Sequence, residues 1–332
     1  MNTGMPYLLP EEIFSIRTRQ AFDEVCMKTF YLQAQQCAVY NKYLSLIHVD
    51  PTEIRHPEQI PFLPIEFFKS HRVITGPREP QLVFTSSGTT GSLQSKHYVT
   101  DVNIYKHSFR STFSQFYGEP ENMAILALLP SYSEREGSSL IYMVDDLIRQ
   151  SGHPLSGYFL YNHDDLHRAL HELKMANTPT LLIGVTYALL DFVENQAIDF
   201  PQLIVMETGG MKGRRREMIR EEVHEQLCRG LNVASIHSEY GMTELLSQAY
   251  SAGGGRFHCP PWMNSYIRDT NDPFTLLPAN RTGALNIIDL ANIRSCAFLA
   301  TQDLGRKYAD GSFEVLGRFD QSDIRGCNLL VQ

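Results

Sequence analysis

From residue 80 onward the chain alternates short apolar runs with helical stretches, and few architectures accept that rhythm. The runs at 81–84, 124–129, 158–160, 180–183, 203–206 and 233–236 read as strands. Between them lie segments of helical periodicity. One runs from Ser139 to Arg149, and another, capped by Asp164, carries His167, Leu170 and Leu173. Strands spaced by helices of roughly ten to fifteen residues pair in parallel, because each crossover returns the chain to the same end of the sheet. The expected body is α/β, a largely parallel sheet flanked by helices. The last fifty residues or so change character. Runs at 285–288, 297–300 and 313–316 follow closely, and Asp310-Gly311 is a hairpin signal, so a small C-terminal antiparallel sheet is expected.

The first 75 residues read differently. Phe22, Val25, Phe30, Val39, Tyr43 and Leu46 recur at about helical spacing, and Pro51, Pro57, Pro61 and Pro64 then break the chain. The expected division is a helical N-terminal region, 1–75, packed on a body at 76–332. No internal repeat or low-complexity linker separates them.

With 332 residues, 43% apolar and 20% charged, the chain can bury a large core. A net charge of −8 argues against a nucleic-acid partner. The basic cluster Lys212, Arg214, Arg215 and Arg216 reads as the exposed face of a helix that buries Ile219, Val223 and Leu227. The longest apolar run, 124–129, is too short for a membrane span, and residues 1–12 lack a leader pattern, so a cytoplasmic location is expected. Cys26, Cys37, Cys228, Cys259, Cys296 and Cys327 form no C-x-x-C pair and read as free thiols. His258-Cys259 has no second pair at ligand spacing, so a core or loop role is expected there.

Three short segments carry the chemistry. The first is Thr85-Ser86-Ser87-Gly88-Thr89-Thr90-Gly91, with Lys96 downstream. Its glycines free the backbone and its hydroxyls and N–H groups suit polyphosphate, often beside a helix start. It is neither a Walker loop nor a G-x-G-x-x-G turn. The second is Tyr240-Gly241-Met242-Thr243-Glu244: a stacking face, a neutral donor and a hard oxygen ligand. The third runs Thr301-Gln302-Asp303-Leu304-Gly305-Arg306, Asp310-Gly311, then Gly317-Arg318-Phe319-Asp320 and Arg325-Gly326. An acid suits a diol, and a guanidinium suits an oxyanion. Taken singly, the first segment is a turn and the second a core Tyr beside a solvated Glu.

In this order, with Gly209-Gly210 between the first two, the segments resemble those of the adenylate-forming enzymes, which join a carboxylate to AMP. The resemblance covers roughly the last three quarters of the chain. It implies ATP and Mg²⁺ as cofactors and the large-domain type of that fold. Thr85, Ser86, Ser87, Gly88, Thr89, Thr90 and Gly91 would grip the β and γ phosphates, with Lys96 displaced from its usual place. Tyr240, Gly241, Gly209 and Gly210 would border adenine. Thr243 would reach the α-phosphate, Glu244 would bind Mg²⁺, Asp303 would take the ribose and Arg318 the ribose and phosphate. Gln302 stands where the family has Gly. The chain ends six residues after Gly326, so on this reading the usual C-terminal subdomain and its lysine are absent, leaving Lys96, Arg306 or Arg318 as alternative cations or a weakly active protein.

One branch of that superfamily is similar in more detail. Leu129-Pro130-Ser131-Tyr132, Glu136-Gly137-Ser138-Ser139-Leu140 and Arg325-Gly326-Cys327 resemble segments of the LuxE-like acyl-protein synthetases. The resemblance implies adenylation of a medium or long fatty acid, capture of the acyl group by Cys327 as a thioester, and delivery to an acyl reductase. A thiolate is a strong nucleophile and its thioester stays activated for a second transfer. From the residues alone, Cys327 beside Asn328-Leu329-Leu330-Val331 reads equally as a small buried hydrophobe. Delivery to CoA or a carrier protein, and a catalytically weak partner subunit, are the alternatives.

Overall fold

The computed structural model describes residues 8–87, 93–196, 198–209 and 218–318. The N-terminal helices are α1 (Pro10–Phe14), α2 (Arg19–Gln36) and α3 (Ala38–Leu46). Cys37 interrupts the second and third with extended backbone (φ −94°, ψ 100°), which resets the helical phase. Tyr40 and Leu44 therefore face inward in α3, and Leu46, expected inside, is exposed. The short strand β1 (Leu63–Pro64) and helix α4 (Phe67–Ser70) follow.

A hairpin of β2 (Leu82–Thr85) and β3 (Lys96–Val99) comes next, paired only with itself. The remaining elements of the body are α5 (Val102–Tyr117), β4 (Ala124–Leu128), α6 (Ser139–Ser151), β5 (Gly157–Tyr158), α7 (His163–Met175), β6 (Thr180–Val185), α8 (Thr186–Asn195), β7 (Ile204–Thr208), α9 (Arg220–Leu231), β8 (His237–Tyr240) and β9 (Ala249–Ser251). The six strands β4 to β9 form one sheet in the order β5-β4-β6-β7-β8-β9, parallel except for β9. Every residue of β4 and β6 is buried, as expected for strands covered on both faces. The chain steps from β4 outward to β5, then returns to the other side of β4 for β6. That reversal puts the switch in strand order between β4 and β6, and open α/β sheets bind ligands at the carboxyl ends of strands near such a switch.

The second sheet is β10 (Met263–Arg268), β11 (Thr282–Asp289), β12 (Phe298–Lys307) and β13 (Phe313–Arg318), an antiparallel meander. The expected hairpin turns at Gly311, whose φ of +86° favours glycine. β12 is shared along its length. Its first half pairs in parallel with β1 and its second half with β13. The N-terminal region is thus bound into the C-terminal sheet. Gln33 reinforces the join: its Nε2 donates to the Asn292 carbonyl and its Oε1 accepts from the Ala297 N–H, both at 2.9 Å. One continuous hydrophobic core runs from Leu8 to Phe313.

Three local expectations are corrected. The strand placed at 233–236 is His237–Tyr240, because pairing with β7 begins at Met206 and His237. Val233 and Ile236 are buried in the approach to it. Asp164 lies in the first turn of α7 and does not cap it; Asn162 holds the cap position. Ile219 precedes α9 and is exposed, while Val223 and Leu227 are buried as expected. Residues 212–217 of the basic cluster lie outside the described residues.

Candidate functional site

Of the Ser/Thr/Gly segment, Thr85 ends β2, Ser86 and Ser87 lead out of it, and the next described element is the strand β3, not a helix. Thr85 pairs with Lys96 across the hairpin. Beyond them Ser86 N–H donates to the Ser95 carbonyl (3.1 Å) and Ser95 N–H donates to Ser86 Oγ (2.9 Å), closing the two legs together. A helix start does stand beside the loop, but it comes from elsewhere in the sequence. Thr85 N–H donates to the Gly137 carbonyl (2.7 Å), just before Ser138 caps α6. Gly137 has φ +80°, and a Cβ there would sit 3.0 Å from Thr85 Oγ1. The Glu136-to-Leu140 segment and the phosphate-type loop are therefore neighbours in space. Ser87 and Lys96 are exposed. Gly88, Thr89, Thr90 and Gly91 lie outside the described residues.

The second segment begins as β8 and continues as an irregular turn at the carboxyl edge. Tyr240 is buried, with its ring edge against Phe313 (5.4 Å) and its hydroxyl donating to Asp303 Oδ2 (2.8 Å). Thr243 presents its carbonyl to His97 Nδ1 (3.0 Å). Glu244 is buried, and its carbonyl accepts from Asn292 Nδ2 (2.8 Å). Burial pushes the Glu244 carboxyl up, against the Ser95 side chain and the cations Arg318 and Lys69, which favour its charged form. Behind the turn, fully buried Asp289 accepts from Leu246 N–H, Ser247 N–H and Ser247 Oγ at 2.9, 2.9 and 2.6 Å. Desolvation raises Asp289 to about 6 even so. Asp289, the last residue of β11, thus holds the backbone just past Glu244, while His97 of β3 and Asn292 hold the Thr243 and Glu244 carbonyls.

The third segment meets the second directly. Asp303 and Arg318 are cross-strand partners on β12 and β13, and Arg318 Nε donates to Asp303 Oδ1 at 3.2 Å. Asp303 is buried while the Arg318 side chain is exposed, so the acid is fixed and the guanidinium can reach outward. Tyr240, Asp303 and Arg318 form one chain of hydrogen bonds.

A cavity of about 520 Å³ opens beside this group, at the ends of β6, β7 and β8. Tyr240, Gly209 and Gly317 border it, and Glu207 and Glu239 lie on its polar side. Thr186 Oγ1 donates to Glu207 Oε2 (2.8 Å), and Thr208 Oγ1 donates to Glu239 Oε2 (2.7 Å). Burial pushes the Glu207 carboxyl up, but His224, Ser238 and Thr186 outweigh it and hold the group below the usual range. Glu239 has Thr208 alone against its desolvation and the charge of Glu207, and is raised to about 7.

Among the described residues no cluster of three His, Cys, Asp or Glu could bind a metal by itself. Magnesium does not require one, since it commonly takes one or two carboxylates and completes its shell with phosphate oxygens and water. Glu244, a buried carboxylate at the loop side of the site, fits that role.

The structure brings Thr85, Ser86, Tyr240, Thr243, Glu244, Asp303, Arg318 and Gly209 to one edge. Gly210 and Cys327 lie outside the described residues. The sequence reading missed His97, Asn292 and Asp289, single residues whose partners stand far along the chain. It also missed Glu207, although Glu207-Thr208-Gly209 and Glu239-Tyr240-Gly241 repeat one pattern at two strand ends.

No family model and no curated protein sequence matches this chain. Solved structures do. A 2-hydroxyisobutyryl-CoA ligase in an open conformation, in complex with 2-HIB-AMP and CoA, superposes with a TM-score of 0.66 over 96% of this chain and 79% of its own, at 12% identity. The same ligase in its postadenylation state gives 0.67 at 11% identity, over 96% of this chain and 72% of its own. The fold is that of the adenylate-forming ligases. ATP-bound MatB from Rhodopseudomonas palustris matches at 17% identity with a TM-score of 0.53, over 71% of this chain and 47% of MatB. The matched region thus spans about half of MatB. Five cysteines, Cys26, Cys37, Cys228, Cys259 and Cys296, are free among the described residues, as expected. No helix there is long and apolar enough to cross a membrane.

Proposed function

We propose that this chain activates a carboxylic acid with ATP. The carboxylate attacks the α-phosphorus, the bond to the β-phosphate oxygen breaks, and pyrophosphate leaves with acyl-AMP remaining. One observation supports this above the rest: the second and third segments join by hydrogen bonds beside a nucleotide-sized cavity at the carboxyl edge of the sheet, and the hairpin that carries Thr85 is bonded to the second segment through His97 and Thr243.

The roles follow the chemistry of each group. The segment Thr85 to Gly91 offers hydroxyls and N–H groups to the β and γ phosphates. Glu244 would hold Mg²⁺ with the phosphate oxygens; the bound ion neutralises charge on the polyphosphate. Thr243 donates to the α-phosphate. Asp303, now paired with Tyr240 and Arg318, exchanges one of these partners for the ribose diol. Arg318, exposed and hinged on that acid, swings to the phosphate. Tyr240, Gly209 and Gly210 border adenine, and Lys96 supplies a nearby cation.

In the finer form of the proposal the substrate is a medium or long fatty acid. Cys327 attacks the acyl adenylate, its thiolate forming the thioester as the bond to AMP breaks, and the acyl group passes to an acyl reductase. The resemblance of Leu129-to-Tyr132, Glu136-to-Leu140 and Arg325-to-Cys327 to the LuxE-like segments supports this form. A site in the cytoplasm accords with free thiols.

The test is carboxylate-dependent exchange of labelled pyrophosphate into ATP across a panel of acids, with intact mass measured for the wild type and Cys327→Ser. Exchange in both proteins with a hydroxylamine-labile adduct only in the wild type supports the full proposal. Exchange without an adduct, together with CoA thioester formation, assigns an external acceptor such as CoA or a carrier protein. No exchange with any acid rejects adenylation and leaves a non-catalytic partner subunit.

A further inference from the structure

The β2–β3 hairpin is a two-stranded sheet that joins neither large sheet. Two tethers hold the end of it that carries Thr85 and Lys96. One is the Thr85–Gly137 bond described above. The other is His97, the second residue of β3, buried and pointing away from the hairpin into the space between β3 and the Thr243–Glu244 turn.

Both ring nitrogens of His97 are engaged. Nδ1 lies 3.0 Å from the Thr243 carbonyl, and Nε2 lies 2.9 Å from Ser295 Oγ. A carbonyl oxygen only accepts, so Nδ1 carries the proton. Nε2 is then the bare nitrogen, and the Ser295 hydroxyl donates to it. Phe68 packs edge-on against the ring at 5.4 Å and fixes its plane. Burial lowers the imidazole to about 4, so the ring keeps one neutral form across the physiological range. Ser295 belongs to the same turn as Asn292, which holds the Glu244 carbonyl from the opposite side.

We propose that His97 is a positioning residue that sets the spacing between the β2–β3 hairpin and the Thr243–Glu244 pair. It touches neither substrate nor metal. The inference rests on the function proposed above, in which those two elements grip opposite ends of one polyphosphate. If the spacing slips by about an ångström, a loss of about a hundredfold in rate is typical for misaligned reacting groups.

Three variants separate positioning from simple packing. His97→Phe keeps the ring and its contact with Phe68 but removes both nitrogens. His97→Asn places an amide nitrogen near the position of Nδ1 and restores the donor to Thr243. Ser295→Ala removes the hydroxyl behind the ring and serves if His97→Phe does not fold. Pyrophosphate exchange is measured alongside the thermal midpoint, with MgATP varied. His97→Phe is expected to lose ten- to a hundredfold in exchange kcat, His97→Asn to regain most of it, and Ser295→Ala to lose a few fold. The proposal is overturned if His97→Phe retains wild-type exchange per folded molecule, or if His97→Asn loses as much as His97→Phe.

A readout free of catalysis separates this inference from the function it rests on. In protein with ¹⁵N-labelled histidine, the ring signals assigned with His97→Asn should report the Nδ1–H form and shift when MgATP is added. If wild-type protein exchanges no pyrophosphate, adenylation fails, and these signals alone decide the positioning role. The Nδ1–H form with a response to MgATP upholds it. The Nε2–H form, or no response, overturns it.

Discussion

Two neighbouring parallel strands end in nearly the same way, and their carboxylates behave oppositely. β7 ends Glu207-Thr208-Gly209, and β8 ends Glu239-Tyr240-Gly241. Each glutamate reaches the same cavity, and each accepts a hydrogen bond from a threonine hydroxyl. Glu207 also faces His224, whose Nε2 lies 3.9 Å from its Oε1, and it is held below the usual range. Glu239 has no such partner, and desolvation, with the charge of Glu207 added, raises it to about 7. Position on a sheet edge does not decide a carboxylate's charge; its burial and the donors and charges set against it do.

Glu244 sharpens the contrast because it too is raised by burial, yet it lies on the turn beside the hairpin loop and not on the cavity wall. If the cavity-wall acids shape the site and Glu244 takes the metal, Glu244→Gln should reduce pyrophosphate exchange by a hundredfold or more, in the range seen for lost charge-stabilising groups. Its thermal midpoint should stay level or rise, since a buried charge is removed. Exchange at saturating MgATP together with thermal unfolding checks both parts. Wild-type exchange in Glu244→Gln would erase the distinction.

The same contrast explains what could be read in the sequence. The parallel body was legible because β4 and β6 are apolar at nearly every position. β8 was not, because its residues are His, Ser, Glu and Tyr, and the apolar run was sought four residues too early. A strand whose carboxyl end serves a site departs from the pattern that locates buried strands. The motif residues Tyr240, Asp303 and Arg318 were legible as a set, and they do form one hydrogen-bonded chain. His97 and Asp289 were not. His97 meets Thr243 across 146 residues of sequence, and Asp289 meets Ser247 across 42, with nothing local to mark either. A lone histidine in an alternating strand carries the same local signature whether it fills core or spans two segments.

The second largest effect belongs to Glu239, and its size depends on pH. A raised acid favours the folded state only while it is protonated, so that stability is full below the ordinary glutamate value near 4.5 and is lost as pH rises through about 7. Glu239→Gln keeps the acceptor for Thr208 and never ionises. It should match the wild type near pH 4.5 and exceed it by about 2 kcal/mol at pH 8.5, a figure reduced for the partial exposure of the site. Urea unfolding at both pH values is the measurement, and a constant difference would show that burial does not control this group.

Glu207→Gln should give a smaller effect of the opposite sign. A depressed acid adds stability above its ordinary value and loses it as pH falls through the folded value. The variant should be less stable than the wild type by about 1 kcal/mol at pH 7, with the gap closing in acid. The two substitutions must also interact, because the charge on Glu207 is part of what raises Glu239. With Glu207 neutralised, Glu239 ionises more easily, and the gain from Glu239→Gln at pH 8.5 should shrink by a few tenths of a kcal/mol or more. If the double variant is strictly additive at every pH, the two strand ends are electrostatically separate, and the rise of Glu239 belongs to its desolvation alone.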